Sequence, residues 1–192
     1  MKNPIYEPDD DSFLLADALK KELKDLKNKK IDFSNLKLLD MGTGSGYLGE
    51  IAVKKRINTT FVDTNPEAIE RLNKKFKNKK NTSIIESDLF EKLENEKFDL
   101  IIFNTPYLPE DEELFDPALH GGKKGYEVTI KFIKQINNHL IKNGLVLFLI
   151  SSLTHPDVIE AELYKQNLEF KITSRKKLFF EELLIYRVKQ DE

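Results

Sequence analysis

The chain reads as an α/β protein with a doubly wound parallel sheet closed by an antiparallel edge. Three observations predict it. Apolar runs of strand length alternate with segments whose apolar residues recur at helical spacing. The run at 36–40 passes through Gly42, Gly44 and Gly46, glycines at every second position, into a helical stripe of Leu48, Ile51, Ala52 and Val53. The last two β-rich segments follow one another with no helix between them, as in a hairpin.

The elements follow in order. Residues 3–12 read as an irregular arm. Asp11 or Ser12 is expected to cap a helix begun by Phe13, Leu14, Leu15, Ala18 and Leu19. The lysine-rich stretch 20–30 is then a solvated helix end and loop. Strands are expected at 37–40, 59–63, 82–86, 98–103 and 145–150. Asn65-Pro66-Glu67 opens a helix with Pro66 in its first turn and Ala68, Ile69, Leu72 and Phe76 on its apolar face. A polar, acidic loop fills 108–124, and a helix covers 126–141 until Asn143-Gly144 ends it. A further helix spans 156–166, and strands at 169–173 and 183–188 are joined by a loop over 174–182. With no repeat or linker, 1–192 is expected to be one domain: an N-terminal arm and helix at 1–35, then the core at 36–192.

Composition narrows the function classes. The 192 residues are 40% hydrophobic and 33% charged, enough for a true core. Lys and Arg number 31 against 33 Asp and Glu, a net charge of −2, which argues against a generally basic nucleic-acid binder. Absence of cysteine excludes disulfides and thiolate metal sites. His120, His139 and His155 lack ligand spacing and read as surface or hydrogen-bonded residues, so no metal is expected. No apolar run reaches the ~20 residues of a membrane span. The acidic stretch 7–11 is unlike a signal peptide, so the cytoplasm is the expected location.

In such a sheet, ligands sit beyond the carboxyl ends of the strands. Those ends carry Asp40, Asp63, Asp88 and Asn104. A side chain at Gly42 or Gly44 would fill the space where a nucleotide-like ligand lies. Asp63 follows Gly46 by 17 positions, the place of an acid that accepts from ribose hydroxyls. Asp88 is positioned to accept from an exocyclic amine, with Leu89 on the purine face. A dinucleotide fold wants a similar acid, so these residues alone leave NAD and S-adenosylmethionine both open. The turn Asp40-x-Gly-x-Gly-x-Gly differs from Gly-x-Gly-x-x-Gly and resembles motif I of class I S-adenosylmethionine methyltransferases. Its acidic surroundings tolerate a sulfonium and would repel a diphosphate.

Asn104-Thr105-Pro106-Tyr107 resembles the (Asn/Asp)-Pro-Pro-(Tyr/Phe) signature of methyltransferases that act on amino or amide nitrogen. Such a nitrogen has a delocalised lone pair and needs its N–H groups held by acceptors. The Asn104 side-chain oxygen and the Thr105 carbonyl would be those acceptors, and Tyr107 the stacking wall. Thr105 replaces the first proline; its carbonyl survives, and Pro106 still biases it toward extended backbone, with some rigidity lost. Catalysis would then be mostly positioning, with no strong general base.

Three stretches narrow the resemblance. The run Tyr6-Glu7-Pro8-Asp9-Asp10-Asp11-Ser12-Phe13-Leu14-Leu15, the extension Leu108-Pro109 after Tyr107, and Gly121-Gly122-Lys123-Lys124-Gly125-Tyr126-Glu127-Val128 are similar to motifs of the short archaeal and eukaryotic HemK-type glutamine methyltransferases. The likeness covers nearly the whole chain. It implies a Rossmann-like seven-stranded mixed sheet of order 3-2-1-4-5-7-6. The implied reaction is N5-methylation, with S-adenosyl-L-methionine, of the glutamine in the Gly-Gly-Gln motif of a class I translation release factor. The same resemblance puts Ser12 at the cofactor, Asp40 and Gly42 by its methionine moiety, Asp63 by the ribose, and Asp88 with Leu89 by the adenine; the glycine turn with Gly44 and Gly46 completes the site. Too few residues precede the first strand for the helical substrate-docking domain of the bacterial relatives. Relatives of the short kind pair with a small zinc-binding activator, and the strand at 82–86, an edge with Ile84 and Ile85, could accept its strand.

Two other readings stay open. An adenine-N6 methyltransferase on DNA or RNA would use the same four-residue grip, with phosphate contacts from lysines in 20–30 and 74–80, although acidic residues 110–113 would repel a nucleic-acid backbone. A cofactor-bound scaffold without turnover is the non-enzyme alternative. Asn104 suits a lysine ammonium less well than an amide.

Overall fold

The computed structural model describes residues 5–110 and 116–191. Asp111, Glu112 and Glu113 of the acidic loop therefore lie outside the described residues. The elements are α1 (Asp10–Asn28), β1 (Lys37–Met41), α2 (Tyr47–Val53), β2 (Asn58–Asp63), α3 (Pro66–Phe76), β3 (Thr82–Glu86), β4 (Phe98–Asn104), α4 (Glu127–Ile133), α5 (Ile136–His139), β5 (Leu140–Ser151), α6 (Pro156–Lys165), β6 (Leu168–Lys177) and β7 (Glu182–Gln190). Seven strands form one sheet in the order β3-β2-β1-β4-β5-β7-β6, with β7 antiparallel to both its neighbours and the remaining pairs parallel. This is the fold expected from the alternating pattern.

The central strands are apolar on both faces because both faces are covered. Leu38, Leu100, Ile102, Leu147 and Leu149 pack under α1 and α2 with Leu15, Leu19, Leu23 and Ala52. Their neighbours Leu39, Ile101, Phe103, Val146 and Phe148 face the other way, against Phe132, Ile136, Ile159 and Leu163. The period of two thus splits each strand between two cores. Among the described residues, no helix is long and apolar enough to cross a membrane.

Three boundaries differ from expectation. Asp9, not Asp11 or Ser12, caps α1: its backbone is extended at φ −131°, and its carboxylate accepts from Asp10 N–H. The helix consequently starts two or three residues early, and Asp11 and Ser12 turn inward and are buried. The helix expected over 126–141 breaks after α4, where three-residue bonds (Gln135 N–H to the Phe132 carbonyl, 3.0 Å; Asn138 N–H to the Gln135 carbonyl, 3.1 Å) tighten the chain. The break delivers Leu140 to Phe98 as the first pair of β5; residues 141–144 bulge, with Asn143 at φ 64°, and regular pairing resumes at Leu145. The loop expected over 174–182 shrinks to 178–181, because β6 and β7 stay paired up to Lys177 and Glu182, helped by an Arg175–Glu182 ion pair at 2.9 Å.

Candidate active site

The carboxyl ends of β1, β2 and β4 open onto a cavity of about 370 Å³, within the range of ligand pockets. It is lined by the glycine turn, Asp63, Asp88, Leu89, the four residues 104–107 and the arm around Tyr6. Acidic side chains of Asp11, Asp63, Asp88, Glu110 and Asp116 reach its wall; among the described residues, no Lys or Arg does.

The glycine turn is held by the two aspartates at the strand ends. Asp63 accepts from Gly44 N–H at 2.7 Å and from Asn65 N–H at 2.9 Å. Burial pushes its carboxyl up, opposed by these backbone donors. Asp40 accepts from the Thr43 hydroxyl at 2.7 Å and from Gly49 N–H at 2.8 Å. Its other oxygen is buried without a partner, and burial lifts the carboxyl from 3.8 to about 7. Asp40 lies behind the turn and outside the cavity wall, so it shapes the loop from below. Gly46 also lies outside the wall; a Cβ there would meet Leu72 Cδ2 at 2.4 Å.

Gly42 shows why the turn demands glycine. Its φ is +57°, and a Cβ would lie 2.8 Å from the Phe103 ring. Both glycines line the cavity, as expected; a Cβ at Gly42 would press on Phe103, while one at Gly44 would be in ordinary contact with the Tyr6 carbonyl at 3.4 Å.

Asp88 and Leu89, just past β3, line the cavity. Asp88 is half-exposed and accepts from Lys131 Nζ at 2.6 Å, while Leu89 is buried at φ 46°.

At the tip of β4, Asn104 Nδ2 donates to Ser12 Oγ at 3.3 Å. That bond fixes the amide so that Oδ1, buried and without a partner, is the free acceptor. The Thr105 hydroxyl donates to the Leu149 carbonyl on β5 at 2.6 Å. This cross-strand tether supplies the rigidity that the absent proline ring would have given. Behind residues 104–107, Gly121 and Gly125 press so close that a Cβ on either would meet backbone: the Pro106 carbonyl oxygen at 2.3 Å and the Tyr107 carbonyl oxygen at 2.5 Å. The glycine-rich stretch is the buttress of the grip.

Asp11 links the arm to this corner. It accepts from the Tyr6 hydroxyl at 2.8 Å and from the backbone N–H of Ser12. Burial, then the Asp11 carboxylate, pushes both Tyr6 and Tyr107 above their ordinary range, so both rings remain protonated donors. Sequence reasoning assigned Ser12 alone from this segment, through the resemblance; Tyr6 and Asp11 stood in the same motif and were missed because nothing local in the sequence shows how the arm folds back. Of the expected residues, Ser12, Gly42, Gly44, Asp63, Asp88, Leu89 and 104–107 converge on the cavity, and Asp40 and Gly46 support it from outside.

Comparison with known proteins agrees with this arrangement. Residues 6–174 match the methyltransferase small domain family model. A Methanocaldococcus jannaschii protein named for protein N5-glutamine methyltransferase activity is 39% identical, over 94% of this chain and 89% of its own. Human methyltransferase HEMK2 is 30% identical, over 81% of this chain and 75% of its own. The chain spans about half the length of the bacterial glutamine methyltransferases that it matches. Among solved structures, the E. cuniculi Mtq2-Trm112 complex, responsible for methylation of the eRF1 translation termination factor, superimposes with a TM-score of 0.75 at 25% identity, over 97% of this chain and 99% of that one. The match to that family model over residues 6–174, with 39% identity to the archaeal protein and 30% to human HEMK2, makes the chain a member of the methyltransferase small domain family, in its HemK-type branch.

Proposed function

We propose that this chain transfers a methyl group from S-adenosyl-L-methionine to the side-chain amide of a glutamine in a class I translation release factor, within its Gly-Gly-Gln motif. The observation that carries the reading is the buried, unpartnered Oδ1 of Asn104, a residue that lines the cavity together with the glycine turn. A buried acceptor without a donor costs free energy unless a ligand supplies one. An amide N–H is the natural donor.

The cavity wall fits the cofactor. It carries five acidic side chains and no basic one among the described residues, which favours a cationic sulfonium over a diphosphate and so over a dinucleotide. Asp63 would take the ribose hydroxyls with the lone pairs that Gly44 and Asn65 leave open, and Asp88 and Leu89 would take the adenine. Gly42 would lie by the methionine moiety. Bound, the cofactor supplies a methyl carbon activated by positive sulfur. The protein's contribution is placement. Asn104 Oδ1 and the Thr105 carbonyl hold the two amide hydrogens, so the nitrogen lone pair is aimed into the cavity rather than left to rotate. Tyr107 walls the flat amide. The nitrogen sheds a proton once it bears positive charge, so no strong base is required of the site.

Ser12 enters this mechanism through Asn104, by setting which end of its amide faces the substrate. The relatives' names put protein glutamine, not adenine, on the substrate side. Among the residues proposed as phosphate contacts, Lys74 is tied to Glu70 and Lys75 to Glu50, which weakens the nucleic-acid alternative.

The edge strand β3 supports a second protein. Asn81 O and Ser87 N–H bond to β2, so by alternation the main-chain groups of Thr82, Ile84 and Glu86 face outward. A small activator, zinc-binding in the implied relatives, would add a strand there. Incubation with labelled S-adenosylmethionine, a class I release factor and nucleic acid tests the proposal. Label on the release factor is expected; label on nucleic acid alone would refute it.

A further inference from the structure

We infer that the β6–β7 hairpin tip is a docking edge for the substrate protein's surface beside the entering glutamine loop; this rests on the protein-glutamine reading above. Phe179 and Phe180 stand 90% and 83% exposed, with rings edge to face at 4.6 Å. Two adjacent phenylalanines left in water at the tip of a tight turn are an unspent contact surface.

The turn that carries them is firmly built. Leu178 N–H bonds the Glu181 carbonyl at 2.8 Å, and the Leu178 side chain packs into the same apolar cluster as Tyr107. Ser152 N–H bonds the Glu182 carbonyl at 2.8 Å, and its hydroxyl accepts from Glu182 N–H at 2.9 Å. Lys176 pairs with Asp10 at the start of α1 at 2.7 Å. The aromatic pair is therefore displayed on a fixed frame.

Position selects the occupant. Ser151 at the end of β5 pairs with Leu183, so the tip projects from the same end of the sheet as Asn104. From β4 to the hairpin is two to three strand spacings, roughly 10–15 Å. A protein that inserts a loop at Asn104 with an interface of ordinary size, ~800 Å² per partner, must cover that distance. A second, independent feature points the same way: Glu181, next to the pair, has Oε2 buried without a partner, and its charge bears on Tyr107. Glu181 is the acceptor for a main-chain N–H of the entering loop, and the phenylalanines cover apolar side chains on the domain behind it.

The test compares an intact class I release factor with a short peptide carrying only its Gly-Gly-Gln loop. The double variant Phe179→Ser, Phe180→Ser should raise KM for the intact protein about tenfold, the size expected when an exposed aromatic anchor is lost. Its kcat and its kinetics on the peptide should match the unaltered chain, which also shows that it is folded. Glu181→Met should raise KM for both substrates. An unchanged intact-protein KM in the double variant overturns the proposal. So does a concentration-dependent dimer in the unaltered chain that the double variant abolishes, since a second copy would then be the occupant. Transfer to neither substrate by the unaltered chain fails the glutamine reading itself, and the docking edge falls with it.

Discussion

Asn104 has one amide with two ends: Nδ2 donates to Ser12, and Oδ1 is buried without a partner. Removing the Ser12 hydroxyl should let the amide rotate. Ser12→Ala is therefore expected to lower kcat by roughly tenfold to a hundredfold, the cost of a misplaced reacting group, with the dissociation constant for S-adenosylmethionine little changed. A reversed pattern in kinetics and calorimetry, weak binding with intact kcat, would return Ser12 to the cofactor. Asp40 makes a pH prediction. Its carboxyl rises from 3.8 to about 7 on folding, so between these values the folded chain holds a proton that the unfolded chain has shed. Stability from this site is present at low pH and is lost as pH rises toward 7. Asp40→Asn, neutral throughout, should flatten the urea midpoint against pH across that window; an unchanged slope would show that Asp40 does not titrate there. Sequence spacing located Asp40 beside the glycine turn. Only the folded structure shows its oxygen spent on Thr43 and Gly49, because the direction of a side chain at a strand end depends on the loop that folds over it.

At the scale of elements, two glycines and a threonine hold the grip. Gly125 has φ +84°, and a Cβ would meet the Tyr107 carbonyl at 2.5 Å. Gly125→Ala should push the segment 104–107 out of register and cut kcat by at least about tenfold, while cofactor affinity, which rests on the glycine turn and Asp63, stays near that of the unaltered chain. Equal loss of both would mean that the stretch serves general folding. Strand–helix alternation, the glycine turn and the residue pattern after β4 were legible because each is a local signal. The break between α4 and α5 was not: apolar spacing runs on through Phe132, Ile136 and Leu140, and only the need to pair Leu140 with Phe98 ends the helix. The long β6–β7 ladder was hidden likewise, since Arg175, Lys176 and Lys177 read as loop but sit on an edge strand where basic side chains reach water.

For the whole molecule, sheet order decides what is exposed: both cores are covered by helices, the cavity opens at one end of the parallel strands, and β3 is left as an edge. The N-terminal arm contributes Tyr6 and Asp11, bonded to each other at 2.8 Å, to the cavity wall. Glu86→Pro removes an outward N–H from β3 at an exposed position that an edge strand tolerates. It should abolish co-elution with a small activator while leaving the thermal melt near that of the unaltered chain; undiminished co-elution would move the partner elsewhere. The central claim is that Asn104 pins a substrate amide over the glycine turn. It is tested most directly by the single-turnover rate of Asn104→Ala on a class I release factor, measured beside its affinity for S-adenosylmethionine. We predict a fall of about 10² to 10³ in rate, as for loss of one preorganised partner of the reacting group, with cofactor binding retained. Methyl transfer at the unaltered rate would contradict the account.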